Sequence, residues 1–225
     1  MGSKILIYDT YDLRKYDPWY FHTVVDIGSN VGTVSMLCRF IFPKSIIHAV
    51  EPAKETYDKL VAYTSFWGVQ CHNIALGNGQ KMYMKGSGVS GYTRFFVEEE
   101  FKNSPLSPLV VDSYTLSDMF ELFKVDTSKP YLLKIDCEGS ERFLLDDKKG
   151  VDLIREASHF IIELHIGKTE SIKKQWNEYM NLFKDTHDIK IMSWYRSETR
   201  RHYIYTKIEE LPLCGNCNVQ LVRKS

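Results

Sequence analysis

No apolar run in this chain approaches the roughly 20 residues needed to span a bilayer, so no transmembrane helix is expected. The N-terminus lacks a charged start, an apolar core and a small-residue cleavage site, so no secretory signal is expected either. Leu6 stands where a myristoylation pattern following Gly2 needs Ser or Thr. Net charge is also missing: 29 basic and 29 acidic residues cancel across 225 positions. Nothing global therefore points to a nucleic acid or a membrane surface as partner. Local basic pairs such as Lys148-Lys149, Arg200-Arg201 and Arg223-Lys224 read as solvated surface. No second CxxC accompanies Cys214 and Cys217, so a metal site there would lack two of its ligands. That stretch reads as a tail with two free thiols or a reversible disulfide. Cys38, Cys71 and Cys137 read as reduced, small hydrophobes, and the overall usage fits a cytosolic compartment. No internal repeat is present.

What is present is an ordinary globular composition, 44% hydrophobic and 26% charged. The length favours one domain over residues 1–225. Within it we expect an N-terminal extension (1–21), an irregular insertion (80–112) and a C-terminal tail (207–225). Apolar runs predict strands at His22–Ile27, Ile46–Val50, Val69–Leu76, Tyr131–Ile135 and Phe160–Leu164. Helical spacing predicts helices from Thr33 to Pro43, from Pro52 to about Trp67, over Leu116–Phe123 and over Ser171–Phe183. Gly68 is the expected stop of the second. Asn78-Gly79 predicts a hairpin returning along Gln80–Lys85. The Gly- and Ser-rich run Gly86–Tyr92, followed by Glu98–Glu100, reads as a loop. Strands near Ile189–Trp194 and His202–Thr206 predict a closing antiparallel pair, and Lys4–Tyr8 a short extra strand. Strands alternating with helices and then a terminal hairpin give an α/β class. The expected architecture is a doubly wound Rossmann-like sheet, mostly parallel, with a C-terminal antiparallel strand.

The chemistry concentrates where the first two strands end. Val24–Ile27 breaks into Gly28-Ser29-Asn30-Val31-Gly32, and Ile46–Val50 ends in Glu51. A glycine turn after one strand and an acid at the tip of the next suit an adenosine-containing cofactor, because the acid accepts from ribose hydroxyls. A nicotinamide site wants Gly-x-Gly-x-x-Gly, and the third glycine is absent here. Asp26 would repel a pyrophosphate but attract a sulfonium and an amino group. These residues favour S-adenosylmethionine over NAD.

The chain here resembles the class I S-adenosylmethionine-dependent methyltransferases, and within them the FkbM family. Three segments carry the resemblance: Val25–Gly32, Val50-Glu51-Pro52 and Leu133-Lys134-Ile135-Asp136-Cys137-Glu138-Gly139-Ser140-Glu141. Asn73–Gly77 is similar to the family's third-strand ending. The resemblance covers about Val24 to Leu164. It implies that Asp26, Gly28 and Ser29, with Asn30 and Gly32 of the same turn, line the methionine end of the cofactor. It implies further that Glu51 holds the ribose, that Ala75 and Leu76 lie by the adenine, and that Asp136 faces the transferring methyl. Relatives methylate oxygen, usually on small molecules or sugars.

Methyl transfer from a sulfonium is an in-line displacement, so positioning is the protein's main task. A hydroxyl acceptor gains from a nearby base. Asp136 at the mouth of the fourth strand is the first choice. Glu163 and His165 at the mouth of the fifth lie two apart and share a side, and His165 has an ordinary pKa near neutrality. Glu138 and Glu141 serve either the site or the following helix. Asp136, Glu163 and His165 could also surround Mg2+ or a transition metal, but three candidates from two strands are a weak set, and no metal is expected. Tyr92, Phe95, Phe96, Trp194 and Tyr195 line a pocket or pack internally. Two rival readings stand beside the methyltransferase: a nicotinamide-dependent oxidoreductase, and a non-catalytic cofactor-binding or scaffold protein of the same fold. A small-molecule or carbohydrate acceptor is the expected partner. The identity of the acceptor and the oligomeric state are left open.

Overall fold

The structure, a computed structural model, describes residues 11–85, 94–97, 109–165, 170–194, 202–205 and 216–224. Its centre is β1 (Thr23–Ile27), β-branched at all positions but Asp26 and buried at every one. Such a strand needs cover on both faces, which is the habit of parallel sheets. β2 (Ile46–Val50) and β8 (Tyr131–Ile135) flank β1 in parallel. β3 (Val69–His72) extends one side, and β9 (His159–His165) the other. Beyond β9 the sheet turns antiparallel through β12 (Asn216–Arg223), β10 (His187–Trp194) and β11 (His202–Tyr205). The order is β11-β10-β12-β9-β8-β1-β2-β3. The strand order reverses at β1, with β2 and β3 added on one side and β8 and β9 on the other, and ligands bind at such a switch point in open α/β sheets.

Alternation divides the core. Val25, Ile27, Leu133, Ile135, Phe160, Ile162 and Leu164 face one side, under α3 (Leu116–Phe123), α4 (Lys148–Glu156) and α5 (Glu170–Asn181). Val24, Ile47, Ala49, Leu132 and Ile161 face the other, under α1 (Thr33–Ile41), α2 (Lys54–Thr64) and the segment around Tyr11, Leu13 and Phe21. Gly32 sits at φ +87°, and a Cβ there would lie 2.5 Å from Thr64 Cγ2 and 2.8 Å from Leu60 Cδ1. The glycine thus sets how closely α1 meets α2. Asp147 joins α3 to α4, its carboxylate accepting from Gly150 N–H on one side and from Leu116 and Ser117 N–H on the other.

The expected Rossmann-like, mostly parallel sheet is present, and three details differ. The predicted third strand breaks at Asn73, whose amide donates to the carbonyls of Glu51 (2.9 Å) and Pro52 (3.0 Å). Ala75-Leu76 then forms β4 in a separate sheet. So the strand after Asn78-Gly79, β5 (Lys81–Lys85), does not return along the third strand. It pairs with β6 (Arg94–Val97) and β7 (Leu109–Tyr114), and much of the expected irregular insertion is sheet. Third, the stretch read as a tail contributes β12 between β9 and β10, and Cys217 in it is 1% exposed. Burial pushes that thiol up to about 12, so it is a core side chain with no thiolate character at neutral pH. The expected strand Lys4–Tyr8, the loop Gly86–Tyr92, Glu98–Glu100, Tyr195 and Cys214 lie outside the described residues.

Candidate active site

The turn after β1 is built by backbone geometry. Gly28 sits at φ +77°, and a Cβ would fall 1.8 Å from the carbonyl oxygen of Asp136. Only glycine lets the first turn press against the end of β8. Gly28 and Ser29 N–H both donate to Val50 O at 2.9 Å, which ties the turn to β2. Ser29 Oγ donates to Asp26 O at 2.6 Å, and the residue is buried. Asn30 is exposed at φ +52°.

Glu51 closes the turn from the next strand. Its Oε2 accepts from Asn30 N–H (3.1 Å), and its Oε1 from Ala53 N–H (2.9 Å). Burial raises its pKa, while those two N–H groups and the Lys134 charge pull the other way. Each oxygen keeps a further lone pair, so a carboxylate fixed in this way can accept from two neighbouring hydroxyls.

Asp26 does not play the part its charge suggested. It is fully buried: Oδ2 accepts from Ser35 Oγ at 2.6 Å, and Oδ1 lies 3.2 Å from Lys134 Nζ. Its register partner across β1 and β8 is Lys134 itself. The charge expected to draw a sulfonium is answered by an internal cation, and the carboxylate lies beneath the turn. Lys134, 3% exposed, also donates to Gly28 O (2.9 Å) and lies 3.8 Å from Asp136 Oδ2. Burial works against its charge, but Asp26 and Asp136 outweigh that and raise its pKa. The sequence sets Lys134 two residues before Asp136, where it could share its side of the strand, but does not reveal that it faces Asp26. The signal was a lone lysine inside an apolar strand, which demands an acid partner.

Asp136 is held by its N–H to Ile27 O at 3.0 Å, and its side chain is 29% exposed at the switch point. Burial raises its pKa, Lys134 and His165 oppose the rise, and Glu141 and Glu138 add to it. Glu163 is half-buried on β9, one residue beyond the Ile135–Ile162 pair and opposite Asn218 of β12. Tyr11, from the N-terminal segment, is buried within electrostatic reach of Lys134, Asp136, Glu163 and Asp26. Nothing in the sequence linked it to this place.

His165 is not poised near neutrality. Its Nδ1 lies 3.1 Å from Glu141 Oε1, and its Nε2 lies 3.2 Å from Glu138 Oε2. Burial disfavours the imidazolium, but the two carboxylates outweigh it and push the pKa up to about 11. His165 is therefore a cation at neutral pH, unsuited to take a proton. Glu141, 1% exposed, also accepts from Cys137 N–H (2.6 Å) and Gly139 N–H (2.8 Å), bracing the turn in which Glu138 adopts φ +52°. Asp136, Glu141 and His165 form the compact cluster of metal-ligand type among the described residues, with Glu141 in the place considered for Glu163. Its Glu141 carboxylate already faces the His165 imidazolium, and Asp136 lies beside Lys134. Ala75 and Leu76 are each 2% exposed, with side chains packed in the core.

A doubly wound sheet of this order, with a glycine turn and two strand-end acids at its switch point, is the Rossmann-like fold of methyltransferases. The chain belongs to the methyltransferase FkbM domain family, whose model matches residues 26–200. It is 28% identical over 173 residues to "Methyltransferase 1" of Beauveria bassiana (strain ARSEF 2860), covering 67% of this chain and 66% of that protein. The crystal structure of a methyltransferase FkbM from Methylobacillus flagellatus KT superposes with a TM-score of 0.51 at 15% identity. That match covers 89% of this chain and 43% of the other. A putative rRNA-methylase from Clostridium thermocellum superposes equally well, TM-score 0.51 at 7% identity, covering 94% and 93%. At such identities the superpositions speak for the fold alone. The chain spans just under two thirds of the fungal relative's length and less than half of the Methylobacillus chain.

Proposed function

We propose that the protein is an S-adenosylmethionine-dependent methyltransferase of the cytoplasm, directed to a hydroxyl oxygen of a small molecule or glycan. One observation carries the reading. Glu51 presents a carboxylate fixed by Asn30 and Ala53 N–H beside the Gly28 turn, and that turn presses against the partly exposed Asp136. The donor set fits the cofactor: a two-oxygen acceptor for the ribose diol, and a turn at Gly28 to Asn30 open to the methionine end. Bound S-adenosylmethionine supplies an electrophilic methyl group on a sulfonium.

The chain's own residues do the rest. The Gly28–Asp136 backbone contact fixes how far the turn stands from the mouth of β8, which sets alignment. Asp136 takes the proton of the acceptor hydroxyl, and its raised pKa makes it a better base than an ordinary aspartate. Glu163, beside it on β9, binds the acceptor. His165 holds the Glu138–Glu141 turn in place as a cation and moves no proton. Asp26 acts through Lys134, which positions both Gly28 O and Asp136.

Calorimetric titration with S-adenosylhomocysteine, with NADH as control, tests the reading. Binding of the first and its loss in Glu51→Ala are expected, on the order of a hundredfold, for two hydrogen bonds to a charged group. Binding of NADH in its place would assign the rival oxidoreductase. No binding of either would leave the scaffold reading.

A further inference from the structure

All six exposed aromatic side chains among the described residues gather at one edge of the molecule: Trp19, Tyr20, Phe40, Tyr63, Phe66 and Trp67. Topology puts them there. α1 and α2 start at the C-terminal ends of β1 and β2 and run back, so their last residues reach the N-terminal ends of the parallel strands. Ile46 N–H donates to His22 O and His22 N–H to Pro130 O, which marks the same edge. The candidate active site lies at the other end of the strands, about 16 Å away at roughly 3.3 Å per residue.

Contacts join several of these rings and the cations among them. Phe40 packs on Trp67 (5.5 Å between centroids), and Trp67 on Phe66 (5.7 Å). Arg39 donates to Pro43 O (2.7 Å) and Gly68 O (3.3 Å), bridging the ends of both helices. Lys44, next in the chain, lies over Trp19 at 4.4 Å, and Tyr20 stacks on Tyr16. Phe66 is 90% exposed and Phe40 63%. Leaving His22 aside, segments 14–22, 39–46 and 63–68 carry Arg14, Lys15, Arg39 and Lys44 against one acid, Asp17. A chain of zero net charge is thus locally basic where it is most aromatic.

We propose that this edge seats the protein on an anionic lipid surface as a peripheral contact, with Phe66 and Trp67 entering the headgroup boundary and Arg39 and Lys44 facing lipid phosphates. Trp, Tyr and Phe with flanking cations are the side chains that settle at that boundary. The charge selects among occupants, since two copies joined through this edge would set like charges against each other. Seated in this way, the protein turns its candidate active site away from the lipid. The sequence expectation of no membrane partner rested on net charge, which averages this segregation away.

Co-sedimentation with vesicles tests the assignment, comparing phosphatidylcholine alone with phosphatidylcholine plus phosphatidylserine. Binding to the anionic vesicles is expected, weakening as salt rises. The double variant Phe66→Ser/Trp67→Ser is expected to lose it by about tenfold or more, and Lys44→Glu to weaken it. Leu122→Ser, at another exposed apolar site, is expected to bind like the parent. The melting temperature and S-adenosylhomocysteine titration of each variant check that the fold is intact. Three results would each overturn the proposal: no binding to anionic vesicles, equal binding by the double variant, or a dimer in light scattering that the double variant abolishes. The last would assign the edge to a second copy.

Discussion

The two ends of the parallel strands handle their difficult side chains in opposite ways. At the C-terminal end, charges are buried and each is answered: Asp26 by Lys134 and Ser35, His165 by Glu138 and Glu141. At the N-terminal end, large rings are left in water and two cations stand among them. Burying a charge is costly, and only a partner and a rigid frame offset it. Exposing a ring costs little in stability. One edge is therefore expected to be intolerant of substitution, and the other tolerant.

The sharpest break in that contrast is Gly28→Ala. A Cβ 1.8 Å from a backbone oxygen, at φ +77°, requires the turn or the end of β8 to move. A loss of about 5 kcal/mol or more is expected, measured by urea unfolding. Lys134→Met comes next. It strands the Asp26 carboxylate in the core, at an expected cost of about 3–5 kcal/mol. Adding Asp26→Leu is expected to recover most of that loss, so a double-mutant cycle would show strong coupling; simple additivity would break the account of the pair. The remaining contrast is read in the pH profile. Unfolded histidine gives up its proton near pH 6.5, at about its reference pKa, whereas folded His165 keeps it to about 11. Between those values the unfolded state binds fewer protons, so this contribution is complete below about pH 6.5 and declines as pH rises. His165→Gln is expected to flatten that alkaline slope in stability measured against pH. The acid slope should remain, because burial and the neighbouring His72 push His48 down to about 4, which removes stability as pH falls below 6.5.

The parallel half of the fold was legible because its strands are buried on both faces, and their sequences read as apolar runs ended by glycine or acid. β12 was not: Asn216–Arg223 sets polar Asn218 and Gln220 between Cys217, Val219 and Leu221 as if one side faced water, yet both polar residues are buried, and it follows a stretch with no regular pattern. Its place between β9 and β10 is decided by long-range pairing, which local patterning does not record. In the site, the positions of Gly28, Glu51 and Asp136 could be read because each ends a strand. The working partners could not. That Lys134 faces Asp26 depends on the β1–β8 register, and that His165 lies between two carboxylates depends on how the turn after β8 folds back. The charge of Asp26 misleads for the same reason, since the residue opposite that answers it is set by register.

The position of β12 has a consequence in time. A chain made from its N-terminus completes β9 at His165 and reaches the strand that pairs with its outer edge only at Asn216. At about 5–20 residues per second, the intervening stretch takes roughly 3–10 s to synthesise. Throughout that interval Phe160, Ile162 and Leu164 belong to an open edge strand, with backbone N–H and C=O groups free to pair with any extended segment that arrives first. β10 and β11 arrive before β12 and cannot attach in their final places, because β12 stands between them and β9. Assembly of this sheet is therefore a race that the strand made last has to win.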